Sequence, residues 1–225
     1  MNNKTIVALL AVALVVSLTG TIMSVSEISK VGGQWMVISG AVTSSATDTG
    51  NTTLEILANV GLNVDDTTID FLSGYVNSTQ AVAILDSSGT NITDWLNSTG
   101  SPFTNFADTS HRLNNTGSTP VNVTVSMDKD NAEHWLCGQS GATCPGDNAM
   151  VQVKALDTTS ACIDGEVNTY TEVADYDSKS TVLLCTNFKP TDGSDTLETL
   201  YQLTLPQEAP TGTVTAVFTY TVEAI

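Results

Sequence analysis

The chain predicts an all-β protein: a jelly-roll-like β-sandwich of about ten strands, preceded by an N-terminal hydrophobic helix. Three observations predict it. Apolar residues recur at every second position in one segment after another, which is the period of a half-buried strand. Clusters of Gly, Asn, Asp, Ser and Pro separate these segments at short intervals. No long helical period occurs once the first apolar run is passed.

The elements follow in order. Lys4 precedes an unbroken apolar run from Ile6 to Val16, and Ser24-Val25-Ser26 offers a small-x-small cleavage site. This is the layout of a secretory signal, so residues 1–26 are expected to be removed and the mature chain to start near Glu27. Left uncleaved, Thr5–Val25 matches the roughly 20 residues that span a bilayer, and only then is a membrane a partner. No basic pair followed by Gly precedes the apolar run, so the processing signature of type IV pilins is missing. Residues 27–225 fit a single sandwich domain, with no low-complexity linker to divide them.

The first mature strand is predicted at Gln34–Thr43. Trp35, Val37, Ser39 and Ala41 alternate there with Met36, Ile38, Gly40 and Val42. Both faces are apolar, so the strand needs cover on both sides. It completes either its own sheet or a neighbour's, where a backbone ladder gives affinity and alternate side chains fill pockets. In TLEILANVGLNV, Leu54 to Val64 alternate as one long strand or as two bent at Gly61. Ile69 and Phe71 read as the start of another strand, AVAILD as a short buried run, and DWLNST as a helical turn. Asn105 to Leu113 is ambiguous. Val121, Val123, Val125 and Met127 form a clear strand with Asn122, Thr124 and Ser126 on its outer face. Ala149 to Ala155, TYTEVA, STVLLC and LETLYQLTL follow, and the last strand runs from Val214 to Val222.

Composition narrows the function classes. Twenty-four acidic residues face seven basic ones, a net charge of −17, which excludes nucleic-acid binding by phosphate repulsion. Six Asn-x-Ser/Thr sequons, at Asn51, Asn77, Asn91, Asn97, Asn114 and Asn122, agree with export to the cell surface. So do four cysteines, whose even number predicts two disulfides with three possible pairings. Cys137 and Cys144 flank a short Gly-rich loop and are paired on that ground, leaving Cys162 with Cys185. Zinc held by His134 and Cys137 is the alternative use of that segment. No nucleophile elbow, His-Glu-x-x-His motif or phosphate loop occurs, and only His111 and His134 titrate near neutral pH, so no enzyme is expected. Asp128, Asp130 and Glu133 crowd one short segment, and calcium is the cofactor such a set of oxygens would take.

The phrase NNTGSTPVNVTV and the ending LTLPQEAPTGTVTAVFTYTV resemble segments of exported archaeal surface β-sandwich proteins. Similar endings occur in donor-strand filament subunits, the bundling pilins and the camelysin-type biofilm fibre proteins. Their plan is a signal peptide, an N-terminal strand, a jelly-roll body and a proline-to-glycine turn before the last strand. Here that turn is Pro206 to Thr211, closed by Pro210 and Gly212. The resemblance implies an extracellular homopolymer built by strand exchange, with strand 34–43 inserted into the next subunit. The cysteine-bearing stretch from Cys137 to Cys185 has no counterpart in that plan. A monomeric adhesin or carbohydrate-binding module, calcium-dependent at the Asp128 loop, is the alternative expectation. A row of exposed aromatics would mark the binder, and a sandwich lacking a strand would mark the filament subunit.

Overall fold

The computed structural model describes residues 59–138, 144, 146 and 148–225. The expected signal segment, strand 34–43 and the Asn51 sequon lie outside them. The described residues belong to one compact unit that begins at Ile56. They are mostly strand: β1 (Leu62–Asp66), β2 (Tyr75–Val76), β3 (Val82–Asp86), β4 (Trp95–Leu96), β5 (His111–Asn115), β6 (Val121–Met127), β7 (Met150–Leu156), β8 (Thr171–Ala174), β9 (Val182–Phe188), β10 (Thr196–Pro206) and β11 (Phe218–Ala224). One short helix, α1 (Ala132–Leu136), interrupts them.

All pairings between these strands are antiparallel. The larger sheet runs β1-β5-β10-β7-β8, with β3 also on β10. The second runs β11-β6-β9, and β2 pairs β4 in a small third sheet. β10, eleven residues long, is the spine. On one edge its first half pairs β5 and its second half pairs β3, while β7 runs along the other edge.

Period two explains most of the packing. Leu197, Thr199, Tyr201 and Leu203 of β10 point inward with Val151, Val153 and Ala155 of β7. Val121, Val123, Val125 and Met127 of β6 face them from the second sheet, the first three with no exposure at all. All belong to one apolar core, an arrangement that fits a β-sandwich. Each large aliphatic side chain buried there contributes about 1.5–3 kcal/mol.

Several expectations are corrected. Ile69 and Phe71 belong to no strand; they lie half-buried in a loop whose Phe71 carbonyl accepts the Trp95 indole N–H. DWLNST is not helical: Trp95 and Leu96 form β4, because Trp95 is drawn into the core. Of the stretch from Leu54 to Val64, residues 54–58 lie outside the described residues; β1 starts at Leu62, after Gly61, which passes so close to Thr116 that a Cβ would lie 2.7 Å from its Oγ1. The final strand starts only at Phe218, and residues 213–217 have no strand partner. The ambiguous stretch ends in β5, a strand whose inward residues include His111 and Asn115 as well as Leu113. Asn115 is affordable inside because its Nδ2 donates to the Phe188 and Thr119 carbonyls and its Oδ1 accepts from the Gly117 N–H.

Two disulfides hold the loops, Cys137–Cys144 and Cys162–Cys185, which points to oxidising surroundings. The second does more than close a loop. Residues 161–167 run along the outer edge of β9, bonded from Ile163, Asp164 and Val167 to the Asn187, Thr186 and Leu184 carbonyls. The bridge fastens this cover to β9. Its 23-residue separation predicts about 3 kcal/mol of stabilisation in the chain-entropy model, and the 7-residue bridge somewhat less. Urea unfolding of C162S/C185S is therefore expected to show the larger loss, and of C137S/C144S the smaller.

Candidate functional site

Among the described residues lies a groove of about 810 Å³. It opens between two strands that each end a sheet: β1, represented by Val64, and β11, represented by Phe218 and Tyr220. The loop carrying Ile69 and Phe71 extends the first wall, and residues 213–217 extend the second. At its base lie the buried side chains of His111, Trp135 and Tyr201.

Local sequence explains how these groups arrive. Asn131 caps α1 by accepting the His134 N–H at 2.6 Å, and the single helical turn that follows carries Trp135 inward. Trp135 meets Phe218 edge-on at 5.8 Å, and Phe218 in turn lies 4.2 Å from the ring of Tyr201. The Trp135 indole N–H is buried and has no hydrogen-bond partner among the described residues. β5 and β10 present His111, Thr199 and Tyr201 on one face, and β11 brings Tyr220 to them. The Tyr220 hydroxyl lies 2.7 Å from each of His111 Nδ1, Thr199 Oγ1 and the Tyr201 hydroxyl. One donor and two acceptor positions are all a phenol has, so three partners saturate it.

Burial sets the protonation of this group. It lowers the pKa of His111 against the weaker pull of Asp66, so the imidazole is neutral at pH 7. It raises Tyr220 to about 12 and holds Tyr201 well above the ordinary tyrosine value. The histidine is engaged by the Tyr220 phenol and meets the rings of Tyr201, Phe218 and Tyr220 edge-on.

The expected calcium ligands do not converge. Asp128 accepts the Lys129 ammonium at 2.7 Å and the Val217 N–H at 2.8 Å. Asp130 faces His134 and Lys179, and Glu133 is buried on α1. The metal-ligating atoms that do gather among the described residues belong to Asp157, Cys162 and Glu166. Cys162 is spent in a disulfide there. Burial would raise Asp157, but N–H bonds from Cys162, Ala161 and Thr159 outweigh it and hold its carboxyl below the usual range. That carboxylate serves the turn.

The sequons divide by environment. Asn91 is exposed, and Asn77 and Asn97 follow β2 and β4. Asn114 lies in the middle of the larger sheet, donating to Asp65 and accepting from Thr196 Oγ1 at 3.0 Å. Asn122 sits on the outer face of β6, where it accepts the Asn187 N–H. The base of the groove escaped the sequence reading. Its only sequence signal was a histidine and two tyrosines at inward parity on separate strands.

Comparison with known proteins adds no relative: no protein-family model, no curated protein and no solved structure matches the chain.

The Tyr220 group yields two expectations. Tyr220→Phe leaves three buried polar groups short of a partner and should cost about 1–3 kcal/mol in urea unfolding. A depressed histidine pKa stabilises the fold above the ordinary value near 6.5, and that contribution is lost as pH falls below it. Between pH 7 and 5, wild type should therefore lose more stability than His111→Gln. The raised tyrosines act in the opposite sense, their contribution being complete below pH 10 and lost as pH climbs towards 12.

Proposed function

We propose that this chain is a structural, non-enzymatic protein of the cell surface: a jelly-roll-like subunit of a filament or coat, assembled by donation of strand 34–43 to the next copy. The observation that carries this reading is the contrast between the sheet edges. The outer edge of β9 is covered by residues 161–167 and stapled by a disulfide. The outer edge of β8 is covered by the return at Lys179 and Ser180. The free side of β3 is bridged by Thr93, whereas β1 and β11 have no strand partner beyond β5 and β6 among the described residues, and both border the groove. Exposed edges are a liability that folded proteins blunt or pair.

The walls also fit an added strand. Val64, Phe71, Ala216, Phe218 and Tyr220 pack on the core yet remain half-exposed, a row that one more apolar strand would cover. No main-chain hydrogen bond is made by residues 213–216 among the described residues. A carbonyl of the entering strand is an acceptor suited to the Trp135 N–H. The donor is suited too. No charged residue occurs from Val31 to Thr47, so it enters a groove lined by Asp70 and Asp108 without repulsion. At about 3.3 Å per residue, ten residues extend about 33 Å, the reach of the stretch from 213 to 222. Gly32 and Gly33 beside the donor strand tolerate the backbone angles of a hinge. A carbohydrate-binding face is less well supported, because Tyr75 is the single aromatic among the exposed large apolar residues described.

Two variants test the reading from opposite sides. Val37→Asp with Ile38→Asp puts a charge on each face of the donor strand. Val214→Asp puts one on the groove wall at a site already 37% exposed, where substitution costs the fold little. Wild type should form polymers by electron microscopy and sedimentation, and both variants should be folded monomers by circular dichroism. An unfolded donor variant would mean that residues 34–43 pair within their own domain. Wild type that stays monomeric at high concentration would end the proposal.

A further inference from the structure

The third sheet is built from a repeated phrase. Tyr75-Val76-Asn77-Ser78-Thr79 and Trp95-Leu96-Asn97-Ser98-Thr99 each read aromatic, aliphatic, Asn, Ser, Thr. Tyr75 pairs with Leu96 and Val76 with Trp95, so the two phrases are related by a local two-fold axis between the strands. Each asparagine leaves its strand in the same turn. The Asn97 carboxamide oxygen accepts both the Thr99 N–H at 2.9 Å and the Thr99 hydroxyl at 2.7 Å. The Asn77 oxygen accepts the same two groups of Thr79, at 3.3 and 3.1 Å. This turn presents the threonine hydroxyl to the amide oxygen, so that the turn itself does not use the amide nitrogen. Asn97 Nδ2 has no hydrogen-bond partner among the described residues, whereas Asn77 Nδ2 donates to the Asp94 carboxylate at 3.2 Å. Asn91 stands exposed on the connection between β3 and β4, with Thr93 two residues on. Buried Val76 and Trp95 fix the whole module to the core.

Asn114 carries the same sequence signal inside a strand, β5, rather than in a turn. Its neighbours across the larger sheet are Asn63 of β1 and Thr196 of β10. Its amide nitrogen is committed to the Asp65 carboxylate, and its oxygen to Thr196. A sugar on Nδ2 would break that contact on a sheet already formed.

We propose that Asn77, Asn91 and Asn97 form a glycan cluster on the β2–β4 module, and that Asn114 remains bare. The sugar donor is a lipid-phosphate-linked oligosaccharide, used by a transferase that recognises the exposed turn. The amide nitrogen forms a bond to C1 of the first sugar as the C1–oxygen bond to the lipid phosphate breaks. The phosphate leaves with that electron pair, and the amide gives up one proton to the transferase base. The inference is independent of strand donation, since a glycan on this module would serve any surface protein.

Glycopeptide mass spectrometry of the protein isolated from its native cells tests it. The expected result is a glycan on at least two of Asn77, Asn91 and Asn97, with the Asn114 peptide unmodified. A glycan on Asn114, or on fewer than two of the three, would overturn it. Thr99→Ala removes the hydroxyl without touching the core, and should abolish the addition at Asn97 while leaving the Asn91 glycan in place. Persistence of the Asn97 glycan in that variant counts against the turn as the recognised feature.

Discussion

The Tyr220 hydroxyl joins the two larger sheets at the base of the groove. β11 has only β6 as a strand partner among the described residues, so its position against the larger sheet rests on what its inward side chains meet. His111, Thr199 and Tyr201 all meet that one oxygen at 2.7 Å. Removed from water, the network is strengthened by the low local dielectric and is costly to leave half-made. It therefore sets where β11 lies, and with it the second wall of the groove. The neighbouring contact of Phe218 with Tyr201 adds apolar weight to the same joint.

From that joint the asymmetry of the molecule follows. The far side of the sandwich is closed by covering segments and a disulfide, while the near side presents two edges and a half-covered apolar wall. A protein with a net charge of −17 resists random contact between copies, which is useful for a chain with bare edges. The uncharged stretch around residues 34–43 is the part of the sequence suited to pass that barrier. Acidity and strand donation are in this reading two sides of one design: repulsion between bodies, and attraction confined to one strand and one groove. The proposed glycan cluster would sit on a module fastened through Trp95, whose indole is bonded to the loop that forms the first wall.

What the sequence by itself determined is the β class and most of the inward faces. β6, β7 and β10 bury alternate apolar residues, and parity alone reveals which side faces the core. The disulfide partners were legible from spacing and elimination. Three things were decided only in the tertiary structure. β5 has polar residues at inward positions, which parity counts against a strand; Asn115 and His111 are tolerated because the Phe188 carbonyl and the Tyr220 hydroxyl, 73 and 109 residues away, meet them. Residues 213–216 continue the alternation of β11, yet belong to no strand, because alternation specifies which face is apolar and not whether a neighbouring edge is present. Asn97 and Asn114 both begin sequons, and only the tertiary setting separates an amide nitrogen with no partner among the described residues from one bonded to the Asp65 carboxylate within a sheet. In each case the local pattern is a property of consecutive residues, whereas the partner that decides the outcome comes from a distant part of the chain.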